Sequence, residues 1–225
     1  MAIWPATAHE LIQLQQALGE MTPERWQPPM TLSRIGGCFI CFEPVRGAGA
    51  AGDRGFAGAV VTHRRRLLAG VSVGGPAAGP YLPALLALRE GPLLEQAVRA
   101  LSIAPEVLVV NATGRDHPRR AGLALHLGAV LGLATVGVTT RPLVAQGGWP
   151  ADQRGATAPL RLGGEVVGCW VRTRAGAKPV AVHAAWQTEV QAAVQVVLAA
   201  TRRARTPEPL RRARTLARTR RAQSR

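Results

Sequence analysis

Hydrophobic and polar positions change period from segment to segment along this chain, and each change marks an element. Leu11, Leu14 and Leu18 recur at helical spacing over 7–19, with Thr7 placed as a cap. Beyond Pro28 and Pro29, RIGGCFICFEP reads as a strand, RGAGAAGDRG as a Gly-rich turn and FAGAVVTH as the antiparallel partner. RRRLLAGVSVGG predicts a third strand. In GPYLPALLALREGPLLEQAVRAL, prolines bracket a short helix carrying Leu85, Leu88 and Glu90, and a second helix starts near Pro92. EVLVVNATG is a buried fourth strand, RRAGLALHLGAVLG a helix that Arg119 and Arg120 open, and LATVGVTTRPL another buried strand. AQGGWPADQRGATAPLRLGG reads as loop, EVVGCWVRT and KPVAVHAAW as strands, and TEVQAAVQVVLAATRRAR as a strong helix. Past Pro207, a short arginine-rich helix is expected around Leu210 and Leu216. Three antiparallel strands followed by alternating helices and strands predict an α/β domain with a mixed sheet. Ligands of such sheets gather at the carboxyl ends of strands, which is where Asn111 falls.

Charge sharpens this picture. The net charge is +15, and residues 202–225 hold ten arginines against one acid, Glu208. We divide the chain into a domain over 1–201 and a basic tail over 202–225. Such a balance suits a polyanion, most often nucleic acid, although a solvated charged tail would look the same. No apolar run approaches a membrane span, and the first residues lack a basic start followed by an apolar block. A cytoplasmic protein without a membrane partner is expected. Cys38 and Cys41 form a C-x-x-C, but residues three apart on a strand face opposite ways, so buried reduced thiols are the better reading.

Four stretches, in order, resemble the endonuclease V family. PYLPALLALRE is similar to its wedge-and-helix motif, VLVVNATGRDHPRRAGLALHLG to its metal strand and loop, LATVGVTTRPL to the next strand, and RTPEPLRRA to its C-terminal signature. The likeness spans roughly residues 10–215. It implies a ribonuclease H-like mixed sheet flanked by helices. It also implies cleavage of a strand near a deaminated purine, a DNA-repair hydrolysis assisted by Mg2+ or Mn2+ held on acidic side chains. A hard divalent cation takes oxygen ligands and lowers the pKa of an attacking water.

Taken residue by residue, the resemblance keeps only part of that chemistry. The catalytic positions retained are Glu90, His117 and His126. The family's first-strand aspartate falls on Phe39, the aspartate ending the next strand on Asn111, a lysine on Thr140 and a late histidine on Trp186. A metal would be left with Glu90 and the neutral carbonyl of Asn111. Glu43 shares the strand face of Phe39 but lies about 13 Å along the strand, and Asp116 would more readily pair with Arg115 or Arg119. The expectation is therefore no cofactor, or Mg2+ or Mn2+ if activity survives.

The surface for nucleic acid remains. Pro80, Tyr81, Leu82 and Pro83 match the wedge, where rigid prolines present an aromatic ring to a base step. Arg119 and Arg120, at an expected helix start, would make a phosphate site. Arg64, Arg65 and Arg66 add a basic turn. The sequence predicts a protein that binds single-stranded or deaminated-base-containing DNA or RNA, with nuclease activity lost or strongly reduced. Its alternatives are an active metal-dependent endonuclease with an altered site, and a non-catalytic subunit docking an acidic protein.

Overall fold

The computed structural model describes residues 4–44, 47, 49–64 and 66–224. Arg65 and Arg225, both counted in the basic expectation, lie outside the described residues. Helix α1 spans Ala8–Glu20 and opens on a capping box: Thr7 Oγ1 accepts from the Glu10 N–H at 3.2 Å, and Glu10 Oε2 accepts from the Thr7 N–H at 3.1 Å. Strands β1 (Ile35–Phe42), β2 (Arg54–His63) and β3 (Arg66–Pro76) form an antiparallel meander. Helix α2 (Leu86–Arg99), β4 (Val107–Val110), α3 (Leu123–Leu131) and β5 (Thr135–Thr139) follow, and β4 lies parallel to both β1 and β5. All four β4 residues are buried, as a central parallel strand covered on both faces requires. Strands β6 (Thr157–Leu162), β7 (Glu165–Val171) and β8 (Val180–Ala184) extend the sheet antiparallel, before α4 (Val190–Ala199) and α5 (Glu208–Gln223). The strand order is β3-β2-β1-β4-β5-β8-β7-β6. This is a mixed sheet flanked by helices, the ribonuclease H-like arrangement.

Two apolar layers cover the faces. Cys38, Ala57, Ala59, Leu108 and Val110 pack beneath α2 and α3, whereas Ile35, Val107, Val109, Val136 and Val182 pack beneath α4 and Leu210 of α5. The C-x-x-C is split accordingly, with Cys38 fully buried, Cys41 half-buried and both thiols free.

Three expectations are corrected. Pro92 lies inside α2 instead of starting a second helix. The carbonyl of Leu88 loses its helical donor there, and burial of Leu88, Leu93, Leu94 and Val98 offsets the loss. Helix α3 begins at Leu123 behind Gly122, so Arg119 and Arg120 sit in the preceding turn. Strand β6 occupies the end of a stretch read as loop. The arginine-rich helix expected past Pro207 runs over 16 residues, Glu208–Gln223, and packs on β1, β2 and β3 through Leu210, Ala213 and Ala217. Gly37 and Gly58 allow that packing, because a Cβ on either would collide with the backbone of Pro209 or Ala213.

Candidate nucleic-acid interface

The carboxyl ends of β1, β4 and β5 build the edge where the acidic cluster was expected. Cys38 pairs with Val110, and Val110 with Gly137. One step further, Phe39, Asn111 and Val138 form a row across the three strands. Cys38, Val110 and Ala112 belong to the layer under α2 and α3. Alternation therefore turns Phe39 and Asn111 to the opposite face, beneath α5. Asn111 is exposed, and Thr140 is exposed just beyond β5. Above the Phe39 ring stands a guanidinium: Arg214 Cζ lies 5.0 Å from the ring centroid. The Nε of Arg214 is buried with no hydrogen-bond partner among the described residues. Burial and the neighbouring Arg218 charge lower the Arg214 pKa.

Glu90 belongs to α2, on the other side of the sheet. It keeps some solvent exposure, yet crowding by protein pushes its carboxyl from 4.5 up to about 7, with Arg89 pulling weakly the other way. Arg89 is committed elsewhere: its Nη2 donates to Asp53 at 2.8 Å, its Nη1 to the Ala50 carbonyl at 2.6 Å, and it stacks 4.0 Å from the Phe42 ring. The Glu90 charge reaches the buried Cys38 thiol and adds to the burial that raises its pKa. Glu43 pairs with Arg54 at 3.7 Å. Among the described residues, no group of three His, Cys, Asp or Glu could hold a metal ion. The residues present do not fit a divalent cation: a phenylalanine and a cationic guanidinium occupy the row, its one polar side chain is a neutral amide, and Glu90 stands on the other side of the sheet with its carboxyl raised to about 7.

His117, another retained family position, is hydrogen-bonded within the scaffold. His117 Nε2 donates to the Ala84 carbonyl at 2.9 Å, and its Nδ1 accepts from the Arg119 N–H at 3.2 Å, which places the ring proton on Nε2. Burial lowers its pKa. Ala84, at φ 61°, also receives Gln15 Nε2 at 3.1 Å and Arg119 Nη2 at 3.3 Å. Arg119 Nε closes the network on Gln15 Oε1 at 2.7 Å. This cluster fastens the base of the segment that carries Pro80, Tyr81, Leu82 and Pro83. Pro80, Tyr81 and Pro83 are exposed, Tyr81 at 44%, while Leu82 packs on the core. Arg120 turns away, to the Leu162 carbonyl at 2.9 Å and Glu165 at 3.0 Å. Arg119 and Arg120 therefore do not form the helix-start phosphate site that the sequence suggested, since neither lies on a helix start.

His126 is fully buried in α3 and lies 4.3 Å from Trp4 between ring centroids. Neither ring nitrogen has a partner among the described residues, and burial depresses its pKa to about 4. Trp186 sits beyond β8 with its N–H on Thr135 Oγ1 at 3.1 Å, at the start of β5 and so at the opposite end from Thr140. Neither joins the Phe39 row.

Asp116 does something that pattern reading missed. Its carboxylate is fully buried and accepts the N–H groups of Leu143, Val144 and Ala145 at 2.6, 2.9 and 2.7 Å. His183, 3.5 Å away, is held near neutrality by burial, its pKa down at about 4, and its Nε2 lies 2.8 Å from Thr139 Oγ1. A lone histidine within the apolar VAVHA was the available signal.

Comparison with known proteins agrees with the architecture. The Endonuclease V family model matches residues 24–215. Endonuclease V of Streptomyces avermitilis is 37% identical over 218 residues, covering 96% of this chain and 93% of that one. A crystal structure of endonuclease V from S. avermitilis superposes with a TM-score of 0.88 at 36% identity, over 100% of this chain and 97% of that one. Endonuclease V of Ciona intestinalis, solved with a 23mer DNA containing an inosine followed by a ribo-adenosine, shares the fold at a TM-score of 0.82 and 20% identity, with coverage of 96% and 98%. Family profile, full-length likeness and shared sheet order together make this chain a member of the endonuclease V family.

Proposed function

We propose that this family member binds nucleic acid and has lost, or strongly reduced, its nuclease activity. The observation that carries the reading is the Phe39–Asn111 row facing Arg214, where the family places carboxylates. Hydrolysis assisted by a divalent ion needs anionic oxygens to strip part of its hydration shell. Asn111 offers a neutral oxygen and Phe39 none. Glu90 alone, half protonated near neutral pH, supplies less than one charge. The exposed wedge and the net charge of +15 support retained binding. The substrate class would be single-stranded or deaminated-base-containing DNA or RNA; the Ciona protein holds a DNA containing an inosine.

Family membership itself favours the second reading, an endonuclease still active through an altered metal site. One preparation decides between them. Inosine-containing and plain oligonucleotides are assayed for retention at low ionic strength, and for nicking with Mg2+ or Mn2+. Salt-sensitive binding without nicking is expected. Nicking that disappears in Glu90→Gln would establish the second reading, and absence of any salt-sensitive binding would overturn the first.

A further inference from the structure

We infer that Arg214, with Arg218 and Arg221, forms a phosphate-binding row on α5 that takes over the place of the missing cation and holds a nucleic-acid backbone without cutting it. This rests on the proposed nucleic-acid-binding reading and names the groups that would carry it.

Helix α5 runs along β1. Pro209 lies over Gly37, Ala213 over Gly58, the pairing partner of Phe39, and Arg221 Nη1 donates to the Phe42 carbonyl at 3.0 Å. Residues 214, 218 and 221 fall at i, i+4 and i+7, so they share one side of the helix and span about 10 Å of its axis. The charges of Arg218 and Arg221 both reach Cys41, on the same face of β1 as Phe39. Three cations therefore follow the strand whose family aspartate is absent.

No carboxylate among the described residues pairs with any of the three. Glu43 is taken by Arg54, and Glu208 by Arg211 and Arg212. Arg218 lowers the pKa of Arg214, so these charges repel one another, a tension that a bound anion would relieve. The Arg214 Nε, buried without a partner, is the kind of orphan donor that a bound phosphate oxygen would satisfy. The Phe39 ring supplies what a lone surface arginine lacks, a flat support beneath the guanidinium plane, so less freedom is lost on binding.

The row also lies where a strand leaving the wedge could reach it. Phe42 pairs with Gly55, and Arg54 with Pro76, so the end of β1 and the start of the wedge segment share one end of the sheet. A guanidinium can clamp a phosphodiester through two N–H groups but cannot deliver an activated water. Substituting guanidinium for metal thus separates holding from hydrolysis.

The test measures binding of a fluorescent single-stranded inosine-containing DNA by anisotropy, from low to moderate salt, in EDTA and in Mn2+. Wild type is compared with Arg214→Gln, Arg218→Gln/Arg221→Gln and Tyr81→Ala, with a thermal melt of each. Affinity should be equal in EDTA and Mn2+. Arg214→Gln should weaken binding several-fold to about tenfold, and the salt slope should fall by roughly 0.7 per arginine removed. If Tyr81→Ala weakens binding while both arginine variants keep wild-type affinity and slope, the row is refuted and the general reading stands. If wild type does not bind, the general reading falls as well. Should Arg214→Gln lower the melting temperature, the double variant, which leaves the Phe39 contact intact, decides.

Discussion

Replacing Glu90 with glutamine tests the absence of a cation-holding edge through stability alone. The carboxyl is raised from 4.5 to about 7 because burial disfavours its charged form. Between those values the folded state binds more protons than the unfolded one, so stability falls as pH rises through the window, and the full penalty is present above about pH 7. At about 1.36 kcal/mol per pH unit the gap corresponds to ~3 kcal/mol, and partial exposure of the side chain brings the expectation to ~2 kcal/mol. Glutamine keeps the shape and removes the titration. Glu90→Gln should match wild type near pH 4.5 and exceed it by ~2 kcal/mol at pH 8, read from urea midpoints at constant m. His126 and His183 titrate in both proteins and cancel in the difference. A carboxylate serving as a metal ligand would behave in the opposite way. If the variant is no more stable at pH 8, or if Mn2+ raises the wild-type midpoint and leaves that of the variant unchanged, the reasoning is wrong.

Asp116→Asn should cost about 2–4 kcal/mol, because an amide nitrogen would face backbone N–H groups that now donate to a carboxylate. For a chain of this size, that is a fall in Tm of roughly 5–15 °C, and a melt within 2 °C of wild type would count against the account. His117→Ala removes one of three donors from the Ala84 carbonyl. It should cost about 1 kcal/mol and speed amide exchange across residues 79–85. Unchanged exchange there would show that the wedge is held by something else.

Most elements were legible because their period is local: Leu11, Leu14 and Leu18 announce α1, and the β4 residues announce a strand covered on both faces. What escaped depends on neighbours distant in sequence. The stretch holding 157–162 read as loop, yet β6 stands last in the strand order beside β7, with only Arg161 bridged to Gln146 on its other side, and such an edge position tolerates Pro159. The docking of α5 turns on Gly37 and Gly58, whose lack of a side chain matters only once β1 and β2 are paired beneath a helix. At the site, the family pattern singled out Phe39 and Asn111, which the strand pairing sets side by side, and Trp186, which lies apart from them. The stacking of Arg214 on Phe39 could not be read, since it follows from how α5 crosses the sheet. Nor could the role of Asp116, whose partners are main-chain groups and leave no mark in a sequence.

His117 and its neighbours in the loop differ from the altered positions in what each holds in place. His117 and Arg119 pin the Ala84 carbonyl, and Gly114 lets the loop pass the Ala184 carbonyl, where a Cβ would collide. Losing any of them would disturb the wedge or the loop, with or without a metal. Among the described residues, the side chains of Phe39, Asn111 and Thr140 make no hydrogen bond of that kind; Phe39 lies under Arg214, and Asn111 and Thr140 are exposed at the open end of the sheet. A carboxylate pair there would have to be neutralised by an ion or remain as mutual repulsion. Once no ion is held, an aromatic ring and an amide are the cheaper occupants. The loop can therefore keep the family's shape after the family's charge has gone, because different residues maintain each. Under the proposed function, the same partition would let a strand be gripped at Tyr81 and along α5 without being cleaved between them.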